Sequence, residues 1–173
     1  GQGKVLIFSM LSVAALVGIV TWLFGMGAAR DRLLTAALGL AHTRWATHGK
    51  PSNVNAHPHS AGTVTIIHNG IIENHVTLKR RLQAQGAQFA SETDTEILAH
   101  LIDEKLKRGD TFEEAVRGAL SEAEGSYAVA VLSAEHPDRL IAAKNGASPL
   151  ILGYGQGESF IASDIPSLLA YTK

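Results

Sequence analysis

Four short runs near the C-terminus, residues 126–133, 139–143, 150–153 and 159–162, are rich in β-forming residues, and most carry apolar side chains on both faces. A strand apolar on one face can border solvent; one apolar on both must be covered on both sides. Upstream lie helical signals. A helix is expected over residues 74–84. A Thr93–Glu96 capping box opens a second, with an apolar stripe of Ile97, Leu98, Leu101, Ile102 and Leu106 that ends near Gly109. A third begins at Asp110 or Thr111, with Glu113 close behind, and ends near Gly125. Helices grouped before hairpin-connected strands imply an α+β fold with strands buried between layers. Residues 63–68 read as a further short strand, closed by an Asn69-Gly70 turn, and residues 49–62 read as a loop rich in Pro, Asn, His and Ser. Residues 31–40 read as a short amphipathic connector.

The chain of 173 residues carries a formal net charge of −1, which argues against a polyanion-binding surface and against nucleic acid as a partner. It contains no cysteine, so these residues form no disulfide and offer no thiolate to a metal or to catalysis. Residues 5–29 contain no charge. A helix of that length, at about 1.5 Å per residue, matches a hydrocarbon core of roughly 30 Å. Lys4 on one side and Arg30, Arg32 and Arg44 on the other orient such a span with the globular part in the cytoplasm. A secretory signal ending at Gly27-Ala28-Ala29 and a foreign or frame-shifted leader are the competing readings. On this view residues 1–40 are a leader or transmembrane helix with its connector, membrane contact runs through residues 5–29, and residues 41–173 form the domain.

Three polar segments carry the chemistry. The first is His42-Thr43-Arg44-Trp45-Ala46-Thr47-His48-Gly49, the second His68-Asn69-Gly70, and the third Ser91-Glu92-Thr93-Asp94-Thr95-Glu96. The planar fork of Arg44 suits a carboxylate, and Asp94 supplies the opposite charge beside a helix start. The Asn69 amide and the Gly70 N–H form a donor pair able to stabilise an oxyanion. Cation, anion and oxyanion donors together fit a small zwitterion such as an amino acid. In a bland domain these residues would be a surface ion pair, a helix cap acid and a turn. The eight histidines match no recognised ligand spacing, so no metal and no cofactor is expected.

The wording and order of these segments resemble the glutaminase domain of the glucosamine-6-phosphate synthase family, class II glutamine amidotransferases of the N-terminal nucleophile hydrolase superfamily. The likeness runs from about Ala41 to Thr172. It includes Val54-Asn55-Ala56-His57-Pro58-His59, the extended His68-Asn69-Gly70-Ile71-Ile72-Glu73-Asn74, and Phe160-Ile161-Ala162-Ser163-Asp164. The resemblance implies an αββα sandwich, here incomplete and preceded by an apolar helix. It also implies L-glutamine as ligand, with Arg44 on its α-carboxylate, Asp94 on its α-ammonium, and Asn69 and Gly70 as the oxyanion hole. Trp45 would stand near the ammonia exit, with a core tryptophan as the simpler expectation, and Thr47 and His48 would support the ligand.

The family begins with a cysteine whose thiol is the nucleophile and whose α-amine is the base. This chain begins with Gly1, so the segment bearing the nucleophile is expected to be lost or replaced, and the family's two sugar-isomerase domains lie beyond its length. Two functions follow: the glutaminase part of a glutamine:fructose-6-phosphate amidotransferase, inactive in this chain, or a membrane-tethered pseudo-glutaminase that binds glutamine or a partner without hydrolysis.

Overall fold

The computed structural model describes residues 4–9, as backbone, and residues 38–172. The elements run β1 (Lys4–Ser9), β2 (Leu38–His42), β3 (His59–Ala61), β4 (Val64–Gly70), α1 (His75–Ala84), α2 (Thr95–Lys107), α3 (Phe112–Glu122), β5 (Tyr127–Ser133), β6 (Leu140–Asn145), β7 (Ile151–Tyr154) and β8 (Glu158–Ala162). One four-stranded sheet has the order β3-β4-β5-β6 and is antiparallel throughout. The other has the order β2-β1-β8-β7, with β1 parallel to both of its neighbours.

Alternation along the central strands of the first sheet sorts its side chains into two cores. Val64 and Ile66 of β4 and Tyr127, Val129 and Val131 of β5 pack against Ile97, Leu98, Leu101 and Ile102 of α2 and Phe112, Val116 and Ala119 of α3. Burying each such Leu, Ile, Val or Phe contributes roughly 1.5–3 kcal/mol, so this is the larger reservoir of stability. Ile67 and Ala130, from the alternate positions, face Ile161 of β8 and Leu40 of β2 across the gap between the sheets. Phe160 and Ala162, on the far face of the second sheet, are covered by Leu168. The described residues therefore stack as helices, sheet and sheet, with a C-terminal turn over the last face: an α+β fold with both-face-apolar strands inside, as the sequence implied.

The differences are local. Residues 5–9 of the uncharged stretch lie in strand β1, so a helix does not begin at Val5; residues 10–29, the remainder of that expected span, lie outside the described residues. Among the described residues no helix is long and apolar enough to cross a membrane. The connector's last residues join β2, and β3 occupies part of the expected loop, because a three-residue pairing with β4 is too short to leave a periodic signal. The third helix begins as expected, with Thr111 and Glu114 exchanging hydrogen bonds in a reciprocal capping box. At the second, Thr93 accepts from the Glu96 N–H at 3.4 Å, but the Glu96 carboxylate turns elsewhere and the reciprocal bond is absent.

Candidate functional site

The site forms where the ends of the three layers meet. Strand β4 splits its last side chains by alternation: His68 points to the helix layer, where its Nδ1 lies 3.0 Å from the Thr95 hydroxyl, and Asn69 points to the second sheet, where its Oδ1 accepts from His42 Nε2 at 2.8 Å. The end of β2, the end of β4 and the first turn of α2 are thus brought together. Between them is a cavity of about 240 Å³ lined by residues of all three, among them Arg44, Asn69, Gly70 and Asp94.

Asp94 is buried, at 4% exposure, and occupies the N-cap position of α2 without capping it. Its Oδ2 instead accepts from the backbone N–H of Ile72 at 2.9 Å, which ties the segment after the Asn-Gly pair to the helix start. Its oxygens also lie 3.7 Å from His48 Nδ1 and 4.0 Å from His68 Nδ1. Arg44 is half-buried, and its guanidinium donates to the carbonyls of His48 and Gly49, the latter at 2.8 Å, with a longer contact to the Lys50 carbonyl. A guanidinium carries five N–H donors, so these bonds hold the fork in place without exhausting it.

Gly70 sits at φ +123°, and a β-carbon there would meet the Ser126 carbonyl oxygen at 2.1 Å. Only glycine lets the backbone approach so closely at this angle. Trp45 and Thr47 line the cavity rim and are exposed, Trp45 at 78%; Trp45 is therefore not a core residue. His48 stands behind Asp94, its ring 4.5 Å from that of His75.

Several contributors were not singled out as ligand-binding residues in the sequence. His42 and His57 line the cavity with their rings stacked at 4.0 Å, and His57 Nε2 lies 2.9 Å from the same Thr95 hydroxyl that meets His68. Asn55 clamps the loop to the acidic segment: its amide donates to the Lys50 carbonyl and to Glu92, and its oxygen accepts from the Glu92 N–H. For His42 and for Asn55 alike the sequence offered only a position within a motif. Asp164 of the last motif accepts from the Ser167 N–H and builds a local turn.

The cavity's charge is set by burial. Desolvation lowers His57 to about 2, helped by neighbouring cationic forms of His42, His59 and His68. Desolvation likewise lowers His68 to about 4, although the Asp94 carboxylate opposes it. His42 and His59 are lowered for the same leading reason. Near neutral pH the walls are thus uncharged imidazoles, with one fixed cation and one carboxylate at the cavity. Such a lining suits a zwitterion with a neutral side chain. Among the described residues no group of three or more His, Cys, Asp or Glu is placed to hold a metal ion.

A family model described as a glutamine amidotransferase domain matches residues 42–170. The chain is 51% identical over 146 residues to the glutamine–fructose-6-phosphate aminotransferase (isomerizing) of Escherichia coli K12, covering 84% of this chain and 24% of that protein. It is 47% identical to the Haemophilus influenzae protein of the same name over the same shares. The chain therefore spans about a quarter of the length of these curated relatives, and the matched length exceeds the distance from Ala41 to the last residue. Among solved structures, the Bacillus subtilis glutamine phosphoribosylpyrophosphate amidotransferase complexed with ADP and GMP aligns at a TM-score of 0.56 and 31% identity, over 69% of this chain and 26% of that one.

Proposed function

Because the chain belongs to the glutamine amidotransferase domain family, and is homologous to the glutaminase region of glutamine–fructose-6-phosphate aminotransferases, we propose that its cavity binds L-glutamine through Arg44 and Asp94. The observation that carries this reading is the convergence of Arg44, Asn69, Gly70 and Asp94, distant along the chain, on one hollow. In it the Arg44 fork takes the α-carboxylate and Asp94 the α-ammonium, so that the two charges of the amino acid meet their complements. The side-chain amide then extends toward Asn69 and Gly70, whose N–H groups stabilise the oxygen that becomes negative when the carbonyl carbon is attacked. Each donor of this kind is worth roughly 10²- to 10³-fold in rate. Thr47 and His48 support the ligand and the Asp94 carboxylate, and Trp45 covers the rim.

In the longer relatives such a pocket would feed ammonia to fructose 6-phosphate, and the sugar-isomerase domains would complete the reaction in the cytoplasm. These 173 residues contain no thiol, so the chain itself binds without cleaving. Titration calorimetry with L-glutamine tests the pocket: a saturable heat with L-glutamine and none with D-glutamine is expected, and no heat at millimolar L-glutamine overturns the reading. A coupled glutamate assay on the same chain should stay at the level of a boiled control.

A further inference from the structure

We infer that His42 is a positioning residue for the Asn69 amide, an inference that rests on the glutamine reading above. His42 ends β2 in one sheet and Asn69 lies near the end of β4 in the other, and the 2.8 Å bond from His42 Nε2 to Asn69 Oδ1 crosses the seam between them beside the cavity. A carboxamide carries its oxygen on one side and its N–H donors on the other. With the oxygen held from the His42 side, the donors are turned away from it. The terminal torsion of asparagine is broad and selects no orientation by itself, so the choice must come from a neighbour.

His42 serves this role only when Nε2 carries its proton, the form that its 2.8 Å contact with the acceptor oxygen of Asn69 requires. Nδ1 is buried and makes no hydrogen bond of ordinary length and angle, although the His68 backbone beside the ring favours its protonated form. The ring cannot swing freely: it stacks on His57 at 4.0 Å with a 33° tilt, and His57 is itself anchored at Thr95 Oγ1. Burial disfavours the charged ring and leaves two neutral tautomers, of which the contact with the acceptor oxygen of Asn69 selects Nε2–H. An acceptor left bare inside a protein is a cost, and here it accompanies the tautomer that Asn69 requires.

The test compares L-glutamine with L-norvaline, whose side chain has the same carbon length and no amide. In the 173-residue chain His42→Leu should weaken L-glutamine about tenfold, the loss of roughly one hydrogen bond, and leave L-norvaline unchanged. His42→Gln, which places an N–H donor near the former Nε2, should restore most of the loss. Equal weakening for both amino acids, or unchanged glutamine affinity in His42→Leu, overturns the inference. A second readout needs neither ligand nor variant: imidazole ¹⁵N shifts of the unmodified chain should show His42 protonated at Nε2, and protonation at Nδ1 overturns the inference even if the leucine variant fails to fold. If the unmodified chain binds neither amino acid, the glutamine reading falls, while the tautomer measurement still decides whether the tether exists.

Discussion

Helices α2 and α3 begin with the same written signature, a threonine followed three residues later by a glutamate, and they use it in opposite ways. At α3 the pair Thr111 and Glu114 is exposed and closes on itself: the hydroxyl accepts from the Glu114 N–H, and the carboxylate accepts from the Thr111 N–H at 3.1 Å. At α2 the whole turn is buried. Glu96 reaches back to the N–H groups of Ala90 and Ser91 at 2.8 and 2.7 Å and to the Ser91 hydroxyl, while Asp94 reaches sideways to Ile72. A carboxylate in water can satisfy itself with the nearest amide. One out of water must collect several donors, and in doing so it fixes the segments that carry them. The α3 start only begins a helix; the α2 start organises the rim of the cavity.

The comparison can be broken most severely at Glu96. Replacing it by Ala leaves the buried N–H and hydroxyl of Ser91 without their acceptor, while water reaches the exposed Ala90, and a loss of about 2–3 kcal/mol is expected. Glu114→Ala should move the urea midpoint far less, because water replaces the carboxylate at an exposed cap; equal shifts in the two variants would erase the distinction. Next in size is Arg44→Ala, expected to weaken L-glutamine by at least about 100-fold through loss of a charged fork, with the unfolding midpoint nearly kept. Calorimetry beside a urea titration checks both halves, and unchanged affinity would remove Arg44 from the site.

A smaller effect sharpens the same contrast by pH. His57 and His68 titrate in the fold at about 2 and about 4, against an ordinary 6.5. As pH falls below 6.5 the unfolded chain gains protons that the folded chain refuses, so stability drops through that window until the folded values are reached. Burial alone would raise Glu96, but the bonds from Ser91 and Ala90 bring it below its ordinary 4.5, so its contribution is lost only at more acid pH. The melting temperature should therefore fall by roughly 10 °C between pH 7 and pH 5, before the carboxylates titrate. A flat profile over that range would mean that the histidines are solvated.

The sequence by itself determined the layers. Strands apolar on both faces demand cover on both sides, and the periodic stripe of Ile97, Leu98, Leu101 and Ile102 supplies it on one, so fold class and most elements were legible from hydrophobic pattern alone. The motif wording also picked out Arg44, Asn69, Gly70 and Asp94. Pattern could not show that β3 pairs within a loop, that residues 5–9 extend into a sheet, or that Glu96 abandons its cap, since each depends on a partner far along the chain. The tertiary structure alone decided which way each side chain at a layer's end would face. His68 and Asn69 are adjacent residues, yet strand alternation sends one to Thr95 and the other to His42, and only the packing of two sheets and a helix turns that divergence into a cavity.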